Sequence, residues 1–301
     1  MTDTTKTLTT RTLSGALYAL ATILGILAFL YPFWLPTLAR SNNFGQAHTG
    51  DAPLLMTLLV GLCFAVLLLE VQGQGMGAKM LALLGILVAM NSVLRFAEVA
   101  IPGPGGFSPI FLLVVLAGYV YGTRFGFLLG ALTILVSGLI TGGVGPWMPY
   151  QMFVAGWTGM AAPLCRPLVR LFHGDGAWTE VIVLAVYGAV WGLIYGMVMN
   201  IWFWPFIDAS SAGDTWAPGM TIAETVRSYL VFYAVTSLLW DMMRAAGNFV
   251  LILAFGEPVL RVLRRFHDRF TYTYTPAATG AVTHVDGIVS PVKAATSAVI
   301  G

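Results

Sequence analysis

Long apolar runs separated by short polar or Gly/Pro-rich breaks dominate the chain, at about 13–31, 54–71, 80–100, 108–121, 125–141, 150–165, 181–203 and 228–255. A helix needs about 20 apolar residues to cross a hydrocarbon core about 30 Å thick, so the pattern predicts about eight transmembrane helices. The fourth and sixth runs are short and the fifth is Gly-rich, which leaves their ends soft. An even number of spans puts both termini on one side. The first run is longer than the short apolar core of a cleavable signal peptide and reads as retained.

Composition agrees with the pattern. The 301 residues are 58% hydrophobic and 9% charged, with a mean hydropathy of +0.83, and so few polar side chains do not cover a water-soluble globule. An all-α integral membrane protein follows. The net charge of +2 decides little, but its distribution decides orientation. Lys6, Arg11, Lys79, Arg124, Arg166, Arg170, Arg261, Arg264, Arg265, Arg269 and Lys293 fall on the side of the termini. Only Arg40 and Arg227 fall in opposite loops. The positive-inside bias makes both termini cytoplasmic, including an N-terminal segment 1–12. The stretch 271–301 is small, polar and aperiodic, as a disordered cytoplasmic tail would be. Cys63 and Cys165 lie in apolar runs and read as packing residues rather than a disulfide.

Under this orientation Trp34, Trp147, Trp202, Trp204 and Trp216 lie at or near the outer ends of spans, against Trp178 on the inner side. An interfacial aromatic belt and an outward-facing aromatic pocket both account for such a bias. Four charged residues lie within spans: Arg95 with Glu98, and Asp241 with Arg244, each pair three residues apart. A lone charge at the bilayer centre costs about 2.5–3.5 kcal/mol, and an i,i+3 partner on the same helix face offsets part of it. Asp241 and Arg244 are expected to brace the bundle. Arg95 and Glu98 stand beside the outer loop IPGPGGFSP, with Asn91 one turn below and Asn200 a second amide at outer depth, and these polar groups are candidates for the floor of a site.

Catalytic chemistry finds little support. His48, His173, His267 and His284 all lie outside the spans, so none can activate Ser92, Ser137 or Ser237. The chain contains no His-Glu-x-x-His and no Gly-x-Ser-x-Gly. It also lacks the P-loop pattern, so any ATP hydrolysis coupled to it belongs to partner subunits. No metal site or bound cofactor is expected. In AKMLALLGILVAM, Ala78, Ala82, Gly85 and Ala89 recur at spacings of four, three and four, which lines one helix face with small side chains and permits close approach of another helix. That helix belongs either to this chain or to a partner. Gly15 with Ala19 and Ala21 with Gly25 repeat the pattern more weakly.

The small-residue helix ending in NSVLRF, the pair GGFSPIFLLVVLAGYVYGTRFGFLLGALT, TGGVGPWMPYQMFVAGW, YGMVMNIWFWPF and WDMMRAAGNFVLILAFGEPVLRVLRR together resemble the substrate-binding S component of energy-coupling factor (ECF) vitamin transporters. The resemblance covers residues 78–266 and implies a six-helix bundle with a ligand pocket on the outer side. It implies a non-enzymatic subunit that binds a vitamin or related micronutrient, most similar to the cobalamin-associated branch. It also implies docking, through Ala78, Ala82, Gly85 and Ala89, on a T component that carries two ATP-binding-cassette ATPases. Residues 13–72 add two helices before that core. Gly142, Gly143, Gly145, Pro146 and Pro149 would shape an outer lid. The expected ligand-binding residues are Asn91, Arg95, Glu98, Phe107, Trp147, Tyr150, Gln151, Asn200 and Trp202. An intramembrane lipid-modifying enzyme and a ligand-free assembly factor are the alternatives.

Overall fold

A computed structural model describes residues 3–34, 50, 52–72, 77–101, 105–172, 177–207 and 215–270. Residues 1–2, the outer loop 35–49 and the predicted tail 271–301 lie outside the described residues. Every described element is helical: α1 Asp3–Trp34, α2 Ala52–Gln72, α3 Ala78–Ala100, α4 Ile110–Tyr121, α5 Thr123–Thr141, α6 Met148–Ala161, α7 Cys165–Leu171, α8 Ala177–Phe203, α9 Ile222–Thr236 and α10 Leu238–Phe270. Single 3-10 turns, Ala162–Leu164 and Trp204–Phe206, follow α6 and α8.

Segments Thr12–Trp34, Ala78–Ala100, Thr123–Thr141, Trp178–Phe206 and Leu238–Arg269 are long and apolar enough to cross a membrane. Helix α4 is only 12 residues long, yet Ile110, Phe111 and the run Leu113–Tyr119 are all buried. A helix that is apolar all round finds its place in the centre of a bundle rather than against solvent. The protein is therefore a multi-pass, all-helical membrane protein. Two expectations need correction in detail. The run predicted as a single span over 228–255 is divided at Ser237 (φ −131°), which separates α9 from α10 although Asp241 N–H still donates to the Ser237 carbonyl at 3.0 Å. The run at 150–165 ends earlier, at Ala161, where Pro163 tightens the chain into a 3-10 turn.

Lipid tails are as apolar as leucine, so packing and polar contacts rather than hydrophobicity must hold the helices together. Glycine supplies two such seams. Gly118 of α4, Gly126 of α5 and Gly159 of α6 meet backbone to backbone, so that a Cβ added to either Gly126 or Gly159 would strike the other residue's carbonyl. Gly188, Gly192 and Gly196 recur every four residues along α8 and receive α10: a Cβ at Gly192 would lie 2.7 Å from the Ala245 Cα, and one at Gly196 would strike the Asp241 carboxylate. Asn248 of α10 seals this second seam by donating from Nδ2 to the Gly188 carbonyl at 3.0 Å.

The two N-terminal helices pack on α6. Gly25 of α1 lies under Trp157 and Phe153, and Phe29 meets Tyr150 edge-on at 4.9 Å between centroids. The Ala21–Gly25 pair thus packs inside the chain, while Gly15 faces open space.

The basic residues gather at one end of the bundle. Arg166 donates to the carbonyls of Tyr119 and Val120, answering two of the orphan acceptors at the end of α4. Arg264 of α10 forms an ion pair with Glu180 near the start of α8. At 33 residues α10 is about 50 Å long, more than the hydrocarbon core needs, so its arginine-rich last turns extend beyond the apolar part of the bundle.

Gly192→Leu should abolish a monodisperse peak on size exclusion in detergent, because no flexible side-chain tip faces the new atoms, only the Ala245 backbone. Gly85→Leu, where nothing lies within 4 Å, should elute as the parent does.

Candidate functional site

At the opposite end, the tip of α3, the loop before α4 and the starts of α6 and α10 enclose a polar cleft of about 330 Å3. It is lined by Arg95, Glu98, Val99, Gly105, Gly106, Phe107, Ser108, Phe111, Gln151, Tyr195 and Arg244. Local sequence explains why the loop sits over it. Gly105 has φ +58°, a left-handed backbone that glycine adopts freely. Gly106 lies so close to α10 that a Cβ would be 2.8 Å from Arg244 Nη2 and 2.9 Å from the Trp240 carbonyl. Phe107 then lays its ring on Gly247, the residue on α10 that leaves room for it. Ser108 donates to Glu98 Oε2 at 2.7 Å and ties the loop back to α3.

The walls combine charge and flat apolar surface. Arg244 forms an ion pair with Asp241, as the spacing suggested, and its guanidinium lies 5.2 Å from the centre of the Tyr195 ring. Tyr195 in turn meets Phe111 edge-on at 5.0 Å. Arg95 and Glu98 do not form the ion pair expected of them among the described residues: Glu98 is engaged by Ser108, and Arg95 is left facing the cleft. The arrangement can hold a small molecule by stacking, amide hydrogen bonding and a charge-assisted contact.

Of the residues singled out from sequence, Arg95, Glu98, Phe107 and Gln151 come together here. The others lie apart from the lining. Asn91 is fully buried and donates to the Ile110 carbonyl at 3.2 Å and to Thr133 Oγ1 at 3.3 Å, a tie among α3, α4 and α5. Tyr150 is fully buried against Phe29 and Trp202. Trp147 is 41% exposed and meets Trp202 edge-on at 6.4 Å. Asn200 is buried on α8, with no partner for its Nδ2 among the described residues. Trp204 and Phe33 form an aromatic cluster with Tyr229, Phe232 and Trp216, which employs part of the outer tryptophan set in packing. Tyr195, Ser108, Phe111 and Arg244 were not anticipated as lining. Tyr195 was visible only as the residue beside Gly196 in a Gly-x-x-x-Gly-x-x-x-Gly helix.

Other hollows among the described residues are of different character. A cleft of about 650 Å3 at the basic end is lined by Glu180, Glu257 and four arginines, of which Arg264 and Arg261 are already paired with those two glutamates. An apolar groove of about 550 Å3 between α3 and α10 faces the membrane. No cluster of His, Cys, Asp and Glu suited to a metal ion occurs among the described residues.

The described residues form a bundle of apolar, membrane-length helices with a polar cleft at the end away from the arginine cluster. Residues 79–255 match the family model described as ECF transporter, substrate-specific component, and the chain belongs to that family. It is a membrane transport subunit and not an enzyme, and it resides in the cell membrane as a multi-pass protein. No curated protein and no solved structure matches the chain.

If the cleft holds the ligand, Gln151→Ala should weaken binding about tenfold, whereas Trp147→Ala should change it by less than about threefold, since only Gln151 lines the cleft. Retention of the co-purified small molecule after gel filtration, measured by mass spectrometry, checks both.

Proposed function

We propose that this subunit captures a vitamin-class micronutrient in the outer cleft and docks on a T component carrying two ATP-binding-cassette ATPases, which supply the energy for import. The observation that carries the docking half is the α3 face. Ala78, Ala82, Gly85 and Ala89 are all exposed, and Gly85 has nothing within 4 Å of where a Cβ would stand. Small residues that pack within a chain are covered by it, as Gly188, Gly192 and Gly196 are. A bare small-residue face on a membrane helix instead favours close approach by another subunit's helix. The capture half rests on the polar cleft, which combines charged and aromatic groups at a depth accessible from outside.

A corrinoid, the ligand favoured by the resemblance, fits this cleft poorly. A volume of about 330 Å3 is at the lower end of the roughly 300–1,000 Å3 common for small-molecule sites, and a four-ring macrocycle with amide arms and an appended nucleotide exceeds it. A smaller micronutrient suits the geometry better. Among the described residues, α1 and α2 contribute nothing to the cleft lining and pack against α6, which suits a bracing role.

Gly85→Trp and Ala82→Trp should abolish both co-purification of the ATPases and ATP-dependent uptake, while the isolated variant keeps its bound small molecule. Parallel loss of binding and uptake would mean that this face packs within the chain, and unchanged co-purification would remove it from the docking surface.

A further inference from the structure

The apolar groove between α3 and α10 has the length of one bilayer leaflet. On α3 its lining runs from Lys79 to Met90 and on α10 from Phe255 to Phe266, eleven residues of advance on each helix. Eleven residues rise about 16 Å, and half of a hydrocarbon core about 30 Å thick is about 15 Å. The floor is buried, at Leu87, Leu113 and Leu263, whereas the rims at Ile86, Met90, Phe255 and Val262 are more than half exposed. A volume of about 550 Å3 spread over that length gives a cross-section of about 34 Å2, against about 80 Å2 for a helix 10 Å across. A partner helix is too wide for the groove, and an extended hydrocarbon chain is not. Of the small residues Ala78, Ala82, Gly85 and Ala89, only Ala82 lines it, so the face that suits close helix approach points elsewhere.

Charge marks one end of the groove. Lys79, exposed at the start of α3, is the only charged residue of the lining, and no acidic side chain lines the groove with it. Glu180, Glu257 and Asp268 line the separate cleft on another face of α10. Arg269 is exposed one turn beyond Phe266, and its three-residue spacing puts it beside the same end of the groove. We propose that the groove holds one acyl chain of an anionic phospholipid from the leaflet at the arginine-rich end, with the lipid phosphate on Lys79 and Arg269. Apolar walls without a hydrogen-bonding group suit the chain, and basic side chains at the headgroup level favour an anionic lipid over a zwitterionic one. The lipid borders the Ala78–Ala89 face without covering it, and its site is independent of what the polar cleft binds.

The test places the full chain in nanodiscs of phosphatidylcholine with a minor share of phosphatidylglycerol and counts, by native mass spectrometry, the lipid that stays with the protein on release into mild detergent. Phosphatidylglycerol should be enriched about fivefold or more over its share of the bilayer. Val262→Trp and Met90→Trp, two plugs placed from exposed rim positions on different helices, should each remove the retained lipid with the unfolding temperature unchanged. If one plug fails to fold, the other decides. Lys79→Gln combined with Arg269→Gln should keep a retained lipid but lose the preference for phosphatidylglycerol. Ile182→Trp, in a different apolar hollow on α8, should behave as the parent. Glycerol 3-phosphate, the same phosphate chemistry without chains, should not displace the lipid. Equal retention of the two lipids, retention that survives a folded plug, or a preference that survives loss of both cations would each overturn the inference. Displacement by glycerol 3-phosphate would assign the cations to a free phosphate instead. Loss of ATPase co-purification in the plugged variants with lipid retention intact would make the groove a protein contact and overturn it as well.

Discussion

The close approach of α8 and α10 along Gly188, Gly192 and Gly196 is the contact on which the outer half of the molecule depends. In a bilayer, burial of apolar surface does not favour one helix pairing over another, so the seam rests on van der Waals contact between backbones and on the Asn248 hydrogen bond. A side chain at Gly192 would push the axes apart. Tyr195 and Arg244 face each other because the axes are close, and they form one wall of the cleft. The loop before α4 then rests on the outer part of α10, at Met243, Arg244 and Gly247, so the roof inherits its position from the same seam.

Polar groups inside the bundle divide into two kinds by what they touch. Asn91, Asn248 and the hydroxyl of Tyr187, which donates to the Thr158 carbonyl at 2.5 Å, are spent on neighbouring helices and hold the core in register. Arg95, Gln151 and Tyr195 point instead into a cleft. The first kind resists separation of helices, and the second has binding capacity left over. At the basic end the side chains of Arg166 and Arg264 are also taken up internally, by the end of α4 and by Glu180, so abundance of charge there does not amount to a site.

The helices were legible in the sequence because run length and hydrophobicity decide membrane insertion, and the bilayer imposes both. The break at Ser237 was not, since no proline or glycine marks it and the apolar run continues across it. Of the four anticipated cleft residues, Arg95 and Glu98 were placed beside the loop by orientation and spacing, whereas Phe107 and Gln151 entered through the family resemblance. Whether they share a face was a matter of rotation: Tyr150 and Gln151 are consecutive, about 100° apart around the helix, and one turns into the core while the other turns to the cleft. The outer tryptophans suggested a pocket wall, but Trp204 is 1% exposed in an aromatic cluster of its own. The spacing of four in the α8 glycines was present in the sequence, and it carried the position of Tyr195. The i,i+3 rule held for Asp241 with Arg244 and failed for Arg95 with Glu98, because Ser108 from a different segment competes for the carboxylate.

Residues far apart in sequence thus come to line one cleft through two backbone seams and a glycine-rich roof. The most direct measurement is a structure of the purified chain with the small molecule that co-purifies with it. Density for that molecule within 4 Å of Arg95, Gln151 and Tyr195 (a reach of about one van der Waals contact) is the result this account predicts. Density in the groove between α3 and α10 or against the α1–α6 contact, with the cleft empty, would contradict it.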